Sequence, residues 1–282
     1  MLRSLYSGVS GLRNHQVRMD VIGNNIANVN TIGFKASRVI FQDIYSQTIK
    51  PATGATATAG GSNPQQIGLG VSLATVDVLH TRTGSQYTGA PLDLAIEGDG
   101  FFIVNDGANS YYTRAGNFTT DSNNNLVNAN GFKVQGTMYN VDHDNDPATP
   151  AVTVQHTDIT IDAALYHDVT VDKNGNVIGV DDDGDKVTIA TIELATFNNQ
   201  NSLEKVGENL YSPNNNSGAP TVTLPGVDGA ATLNPGALEM SNVDLAKEFT
   251  DMITTQRGFQ ANSRIITTSD SLLEELVNLK RQ

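Results

Sequence analysis

Two stretches of helical spacing, one at each end of the chain, bracket a middle with the period of a β-strand, and this order most restricts the fold. In residues 2–29, Leu2, Leu5, Val9, Leu12 and Met19 recur at steps of three and four, with Gln16 in the seventh-residue slot between them. Ile26 continues the register after Gly23, and Ile22 and Val29 widen the stripe into a heptad-like seam. Gly8, Gly11 and Gly23 interrupt it, each at about 1 kcal/mol relative to alanine. Small residues there let another helix approach closely. At the other end, over 240–281, Ser241-Asn242 with Asp244 marks a helix start. Leu245, Phe249, Met252, Phe259 and Ile266 then take the same steps, with polar Gln256 and Ser263 in two slots. Leu272, Leu273, Leu276 and Leu279 finish the stripe.

Between the seams the pattern changes twice. Asn28 to Gly33 supplies the residues a helix C-terminus needs. Residues 34–49 read as partly extended or short-helical, and 51–66 is a Thr/Ala/Gly/Pro/Gln-rich linker with little that could form a core. From about 67 to 235 apolar residues alternate with polar ones. Leu92–Ile96, Phe101–Val104, Val169–Val171, Val187–Ile189 and Ile192–Leu194 are strand candidates. Asp106-Gly107, Asn130-Gly131, Asn174-Gly175 and Asp183-Gly184 are hairpin turns between them. Spans 138–151 and 212–235 read as loops.

The expected fold class is therefore α+β. Discontinuous N- and C-terminal helices form a coiled-coil domain over 1–30 and 240–282, an extended connecting region covers 31–75, and a mainly antiparallel β-rich domain covers 76–239. Neither helix can easily bury its seam on a compact β domain. The simplest solution is that the two pair with each other and with copies of themselves, ordering as they assemble.

Composition narrows the function. The net charge of −13 is concentrated in the middle, since residues 51–239 carry −16 while residues 1–50 carry +4. An acidic middle argues against nucleic acid, which needs clustered Lys and Arg. No apolar run is long enough to span a membrane, and the N-terminus lacks the pattern of a cleaved signal peptide. The absence of cysteine excludes disulfides and thiolate zinc sites. Gly98-Asp99-Gly100 lacks the spacing and lysine of a phosphate loop and reads as a strand turn. Asp142–Asp146 and Asp181–Asp185 could offer oxygens to calcium, but the twelfth positions are Thr153 and Ile192 rather than Glu, so solvated turns are favoured. His15, His80, His143, His156 and His167 show no zinc-helix pairing. No catalytic residue, cofactor site or metal site stands out. A calcium-dependent surface module is the reading of a different class, and a β-rich hydrolase a third.

Three blocks of residues resemble a known family. Ser7–Leu12, Met19–Asn28 and Thr31–Lys35 are similar to the start of flagellar hook and rod axial proteins. Asp93–Phe102 and Tyr112–Phe118 resemble its middle, and Leu238–Leu245 and Met252–Asn262 through Leu276–Leu279 its end. The ending and the compact length are nearer to the hook members, including the short Gram-positive ones, although distal rod members share most of the motifs. The resemblance implies a non-enzymatic subunit of a hollow helical tube, the curved joint between rod and filament. Leu2, Leu5, Val9, Leu12, Met19, Ile22, Ile26, Leu245, Phe249, Met252, Phe259, Ile266, Leu273 and Leu276 would then form the inner coiled-coil wall, with the β domain outward. It further implies many copies of the chain in one homopolymer. The other implied partners are flagellar axial proteins (rod and hook–filament junction), a cap and the type III export apparatus. The implied location is the flagellum, outside the cell after export.

Overall fold

The computed structural model describes residues 2–55, 60–140, 152–162, 165–182, 184–227 and 231–279. Two helices flank a set of strands whose pairings are all antiparallel. The chain divides into two compact units, one of Met1–Ala27, Ser37–Val78 and Val243–Gln282, the other of Asn28–Ala36 and Leu79–Asn242.

The first unit holds α1 (Leu2–Ala27), β1 (Ser37–Asp43), β2 (Ser46–Lys50), β3 (Gln65–Gly68), β4 (Val71–Val78) and α2 (Leu245–Leu279). Asp244 caps α2: its Oδ1 accepts from the backbone N–H of Ala246 (2.9 Å) and Lys247 (3.3 Å). Residues 34–49, which sequence left between extended and helical, form β1 and β2. β1 pairs with β4, with a bulge between Ile40 and Phe41, and β2 pairs with β3. Large apolar side chains here stay in water, among them Ile49 on β2, Ile67 on β3 and Tyr45 between β1 and β2.

The second unit is the β domain. Phe101–Asn105 lies at its centre, pairing with Ser110–Thr113 through the Asp106-Gly107 turn, with Lys133–Asn140 and with Leu194–Thr196. Asn130-Gly131 and Asn174-Gly175 also lie at turns between antiparallel strands, with Gly131 and Gly175 at positive φ. Asp183 of the fourth expected turn lies outside the described residues. Leu94, Phe102, Val104, Leu126, Val134, Ile192 and Leu194 fill the core, and Phe102 meets Phe118 edge to face at 5.0 Å.

The span 212–235, expected as loop, contains strands Thr221–Thr223 and Thr232–Pro235, the second paired with Leu94–Glu97. The apolar signal of that second strand is a single buried Leu233, and a proline at a strand's end reads as a breaker although such a position tolerates it. The span 138–151 begins inside strand Lys133–Asn140, and 141–151 lie outside the described residues.

Candidate assembly interface

α1 and α2 pack antiparallel. Gly8 faces Ile266, Gly11 faces Asn262 and Gly258 faces His15. A Cβ on Gly11 would lie 2.6 Å from Asn262 Nδ2, and one on Gly258 would lie 2.7 Å from the His15 ring. Gly8 and Gly11 thus lie at points of close approach, whereas a Cβ on Gly23 would meet nothing within 4 Å, so the close approach expected there does not occur. Polar contacts continue the pairing: Arg18 Nη2 donates to Asp251 Oδ1 at 3.0 Å, and Asn25 Nδ2 to Glu248 Oε1 at 3.2 Å. Burial of Glu248 pushes its carboxyl up from the ordinary range, against the hydrogen bond from Asn25.

The structure sorts the expected seam residues into two groups. Ile22 is buried, and Leu5, Leu12, Met19, Ile26, Met252, Phe259, Ile266 and Leu273 are half-buried. Val9, Leu245, Phe249 and Leu276 are exposed, Phe249 and Leu276 at 50% each. Leu2 begins α1, and its side chain lies outside the described residues. The polar slots differ from expectation. Thr255 and Ser269 are the buried residues of α2, while Gln256 is exposed. Thr255 Oγ1 donates to the Asp251 carbonyl at 2.6 Å, so its hydroxyl is satisfied along its own helix.

Sequence reasoning missed the polar bolts of this unit. Asn25, 1% exposed, donates from Nδ2 to the Ser37 carbonyl (2.9 Å) and accepts from the Ser37 N–H at Oδ1 (3.0 Å). Asn14 Nδ2 donates to the Val71 carbonyl at 2.7 Å. Asparagine inside a helix is unfavourable, so its presence at these positions was the available signal.

A second missed cluster lies in the β unit. Lys35, Arg114 and Glu239 are 1%, 1% and 2% exposed. Lys35 Nζ donates to Glu239 Oε1 (2.5 Å) and to the Thr81 carbonyl (2.9 Å). Arg114 Nη1 donates to the Gly98 carbonyl (3.0 Å) and Glu239 Oε2 (3.4 Å), with its guanidinium 5.1 Å from the Phe101 ring centre. Each of the three sequence blocks contributes one member: Lys35 the first, Arg114 the second, Glu239 the third. Burial lowers the Lys35 ammonium's pKa despite the opposing pull of Glu239. His80 sits beside it, 5.4 Å between ring centres from both Phe101 and Tyr211. Burial, aided by Arg114, Lys35 and Lys205, lowers its pKa to about 3. Among the described residues neither His80 nitrogen has a hydrogen-bond partner, which suits a neutral ring. Gly33 lets the turn before Lys35 pack closely: its φ is +69°, and a Cβ there would lie 2.7 Å from the Ala115 nitrogen.

The remaining candidates take ordinary places. Gly98 and Gly100 turn the chain between strands Leu94–Glu97 and Phe101–Asn105, both at positive φ. No group of three His, Cys, Asp or Glu that could hold a metal occurs among the described residues. His156 Nδ1 lies 2.6 Å from Glu193 Oε2, and His167 Nε2 lies 3.0 Å from Asp182 Oδ1. Asp142–Asp146 and His143 lie outside the described residues. No helix among those described is long and apolar enough to cross a membrane.

Comparison with known proteins gives matches at both ends and in the middle of the chain. Residues 5–35 match the family described as flagella basal body rod protein. Residues 95–179 match the flagellar hook protein FlgE/F/G D1 domain, and 234–279 match the flagellar basal body rod FlgEFG protein C-terminal family. The flagellar basal-body rod protein FlgG of Bacillus subtilis (strain 168) is 49% identical over 282 residues, covering all of both chains. The FlgG of Caulobacter vibrioides is 35% identical over 283 residues, covering 99% of this chain and all of the relative. The flagellar hook protein FlgE of Borreliella burgdorferi is 32% identical over 442 aligned positions, covering 99% of this chain and all of the relative. The chain belongs to the flagellar basal-body rod and hook protein family, a family of structural components of the bacterial flagellum.

Proposed function

We propose that this chain is a rod-type subunit of the flagellar axial tube, assembling in many copies as part of the distal rod. The observation that carries the reading is the 49% identity to a basal-body rod protein across all 282 residues. The hook relative matches at 32% across an alignment much longer than this chain. Resemblance of the ending, with the compact length, pointed to the hook, and the full-length comparison favours the rod.

The subunit does no chemistry. The α1–α2 pair is the assembly element: its inner face is taken by the two helices themselves, and its outer apolar residues, with Phe249, Ile253 and Leu276 at 50% exposure or more, pack against neighbouring copies. The seam residues thus serve two interfaces, one within the chain and one between chains. The β1–β4 strands, with Ile49 and Ile67 exposed, extend the same contact surface. The neighbours are other copies and the axial proteins below and above. The subunit reaches the tube through the export apparatus of the flagellum, without membrane insertion or nucleic acid.

Immunogold labelling of isolated basal bodies tests the assignment. The account expects gold along the rod and none along the hook. Labelling along the curved hook would overturn the rod reading and restore the hook one. Phe259→Asp tests the seam, because a charge there sits without a partner in the packed helix layer. That variant is expected to fold its β unit yet be missing from basal bodies.

A further inference from the structure

The last turns of α2 and a cleft on the α1 side of the same unit are complementary, yet they cannot meet within one chain. Gly8 is level with Ile266, and helices advance about 1.5 Å per residue. α2 therefore runs past the start of α1 by roughly two turns. On that overhang Leu272, Leu276 and Leu279 share one face at steps of four and three, and they are 51%, 50% and 69% exposed. Glu275 lies on the same face, three residues after Leu272 and four before Leu279. A leucine stripe of this kind loses stabilisation in water.

The cleft, about 400 Å³, is lined by Tyr6, Val9, Ile44, Leu73 and the Arg13 side chain, among others. Its walls are apolar and open, with Tyr6 73% and Leu73 38% exposed. Among the described residues neither Arg13 nor Glu275 has an ion-pair partner. The chain's own overhang lies out of reach, since Leu276 is ten residues beyond Ile266 and thus about 15 Å further along the axis.

We propose that the cleft of one copy receives the C-terminal turns of α2 from the next copy, with Leu272, Leu276 and Leu279 against Tyr6, Val9 and Leu73, and Glu275 against Arg13. The proposal rests on the assembly reading above and names the contact that makes it directional. A tip meeting a different surface on its neighbour is a heterologous contact, which propagates into an open-ended helical polymer rather than closing as a dimer. Charge complementarity at the rim fixes which way round the copies add.

The chain has no cysteine, so Val9→Cys together with Leu276→Cys introduces a unique thiol pair. Oxidised basal bodies from cells carrying the double variant are expected to give a ladder of linked chains, absent from either single variant, because a disulfide requires close Cα atoms. In the same preparations, Arg13→Glu and Glu275→Arg are each expected to lower incorporation about tenfold, and the two combined in one chain to restore it to within about twofold. No ladder, or single variants that incorporate normally while Phe259→Asp remains excluded, would overturn this contact and leave the assembly reading standing. Normal incorporation of Phe259→Asp as well would overturn both.

Discussion

Acid should destabilise the β unit through one residue, His80. In the folded chain its pKa falls to about 3, against an ordinary value of 6.5. Between those two values the unfolded chain binds a proton there and the folded chain does not. Stability therefore rises with pH through the window and is lost as pH falls from about 6.5 toward 3. Each pH unit inside it corresponds to about 1.4 kcal/mol, so lowering pH from neutrality to about 4 removes on the order of 3 kcal/mol at this site. Carboxylates titrate over the same range, so the contrast with His80→Leu isolates the effect. Leucine forfeits no hydrogen bond, since neither ring nitrogen has a partner among the described residues. Urea unfolding at neutral pH and near pH 4, followed by the near-ultraviolet signal of the buried tyrosines, reads the difference. His80→Leu is expected to lose about 3 kcal/mol less than the parent chain on acidification. Equal losses in the two chains would refute the claim that His80 is held neutral by burial beside three cations.

Other perturbations have equally direct readouts. Glu239→Gln removes the anion that Lys35 and Arg114 share, leaving buried charge uncompensated; urea unfolding is expected to show a loss of about 3–5 kcal/mol, and a loss under about 1 kcal/mol would mean the cluster is not held by charge. Gly11→Val places a side chain where Asn262 Nδ2 already lies, 2.6 Å from the Cβ position, and is expected to separate α1 from α2, read as reduced helical circular dichroism and loss from basal bodies. Asp244→Ala removes the α2 cap and is expected to cost about 1 kcal/mol, read as earlier exchange of the amide protons of the first helical turn.

Sequence made the alternation of helix, strands and helix legible because each part has its own period, and because Asp-Gly and Asn-Gly mark hairpins by a local steric rule. Asp244 was readable for the same reason: capping involves neighbours in the chain. What escaped depends on partners far apart. Lys35, Arg114 and Glu239 are separated by dozens of residues, and nothing in their spacing says that one carboxylate will face both cations. Asn14 and Asn25 carry no signal in the seam's spacing, and their roles depend on partners on β4 and β1. The heptad reading placed Gln256 in a slot that Thr255 occupies, because stepping by three or four is ambiguous wherever apolar residues are missing. Strand Thr232–Pro235 was hidden by its glycine and proline neighbours, and is held by pairing with Leu94–Glu97 rather than by its own composition. The hook–rod distinction was illegible from motifs, since the chain matches both rod and hook proteins along nearly its whole length.

Electron microscopy of basal bodies from a strain deleted for this gene tests the central claim most directly. The account predicts truncated rods, with neither hook nor filament attached. Complete rods that lack the curved hook would contradict the rod assignment, and intact flagella would contradict a structural role in the axial tube altogether.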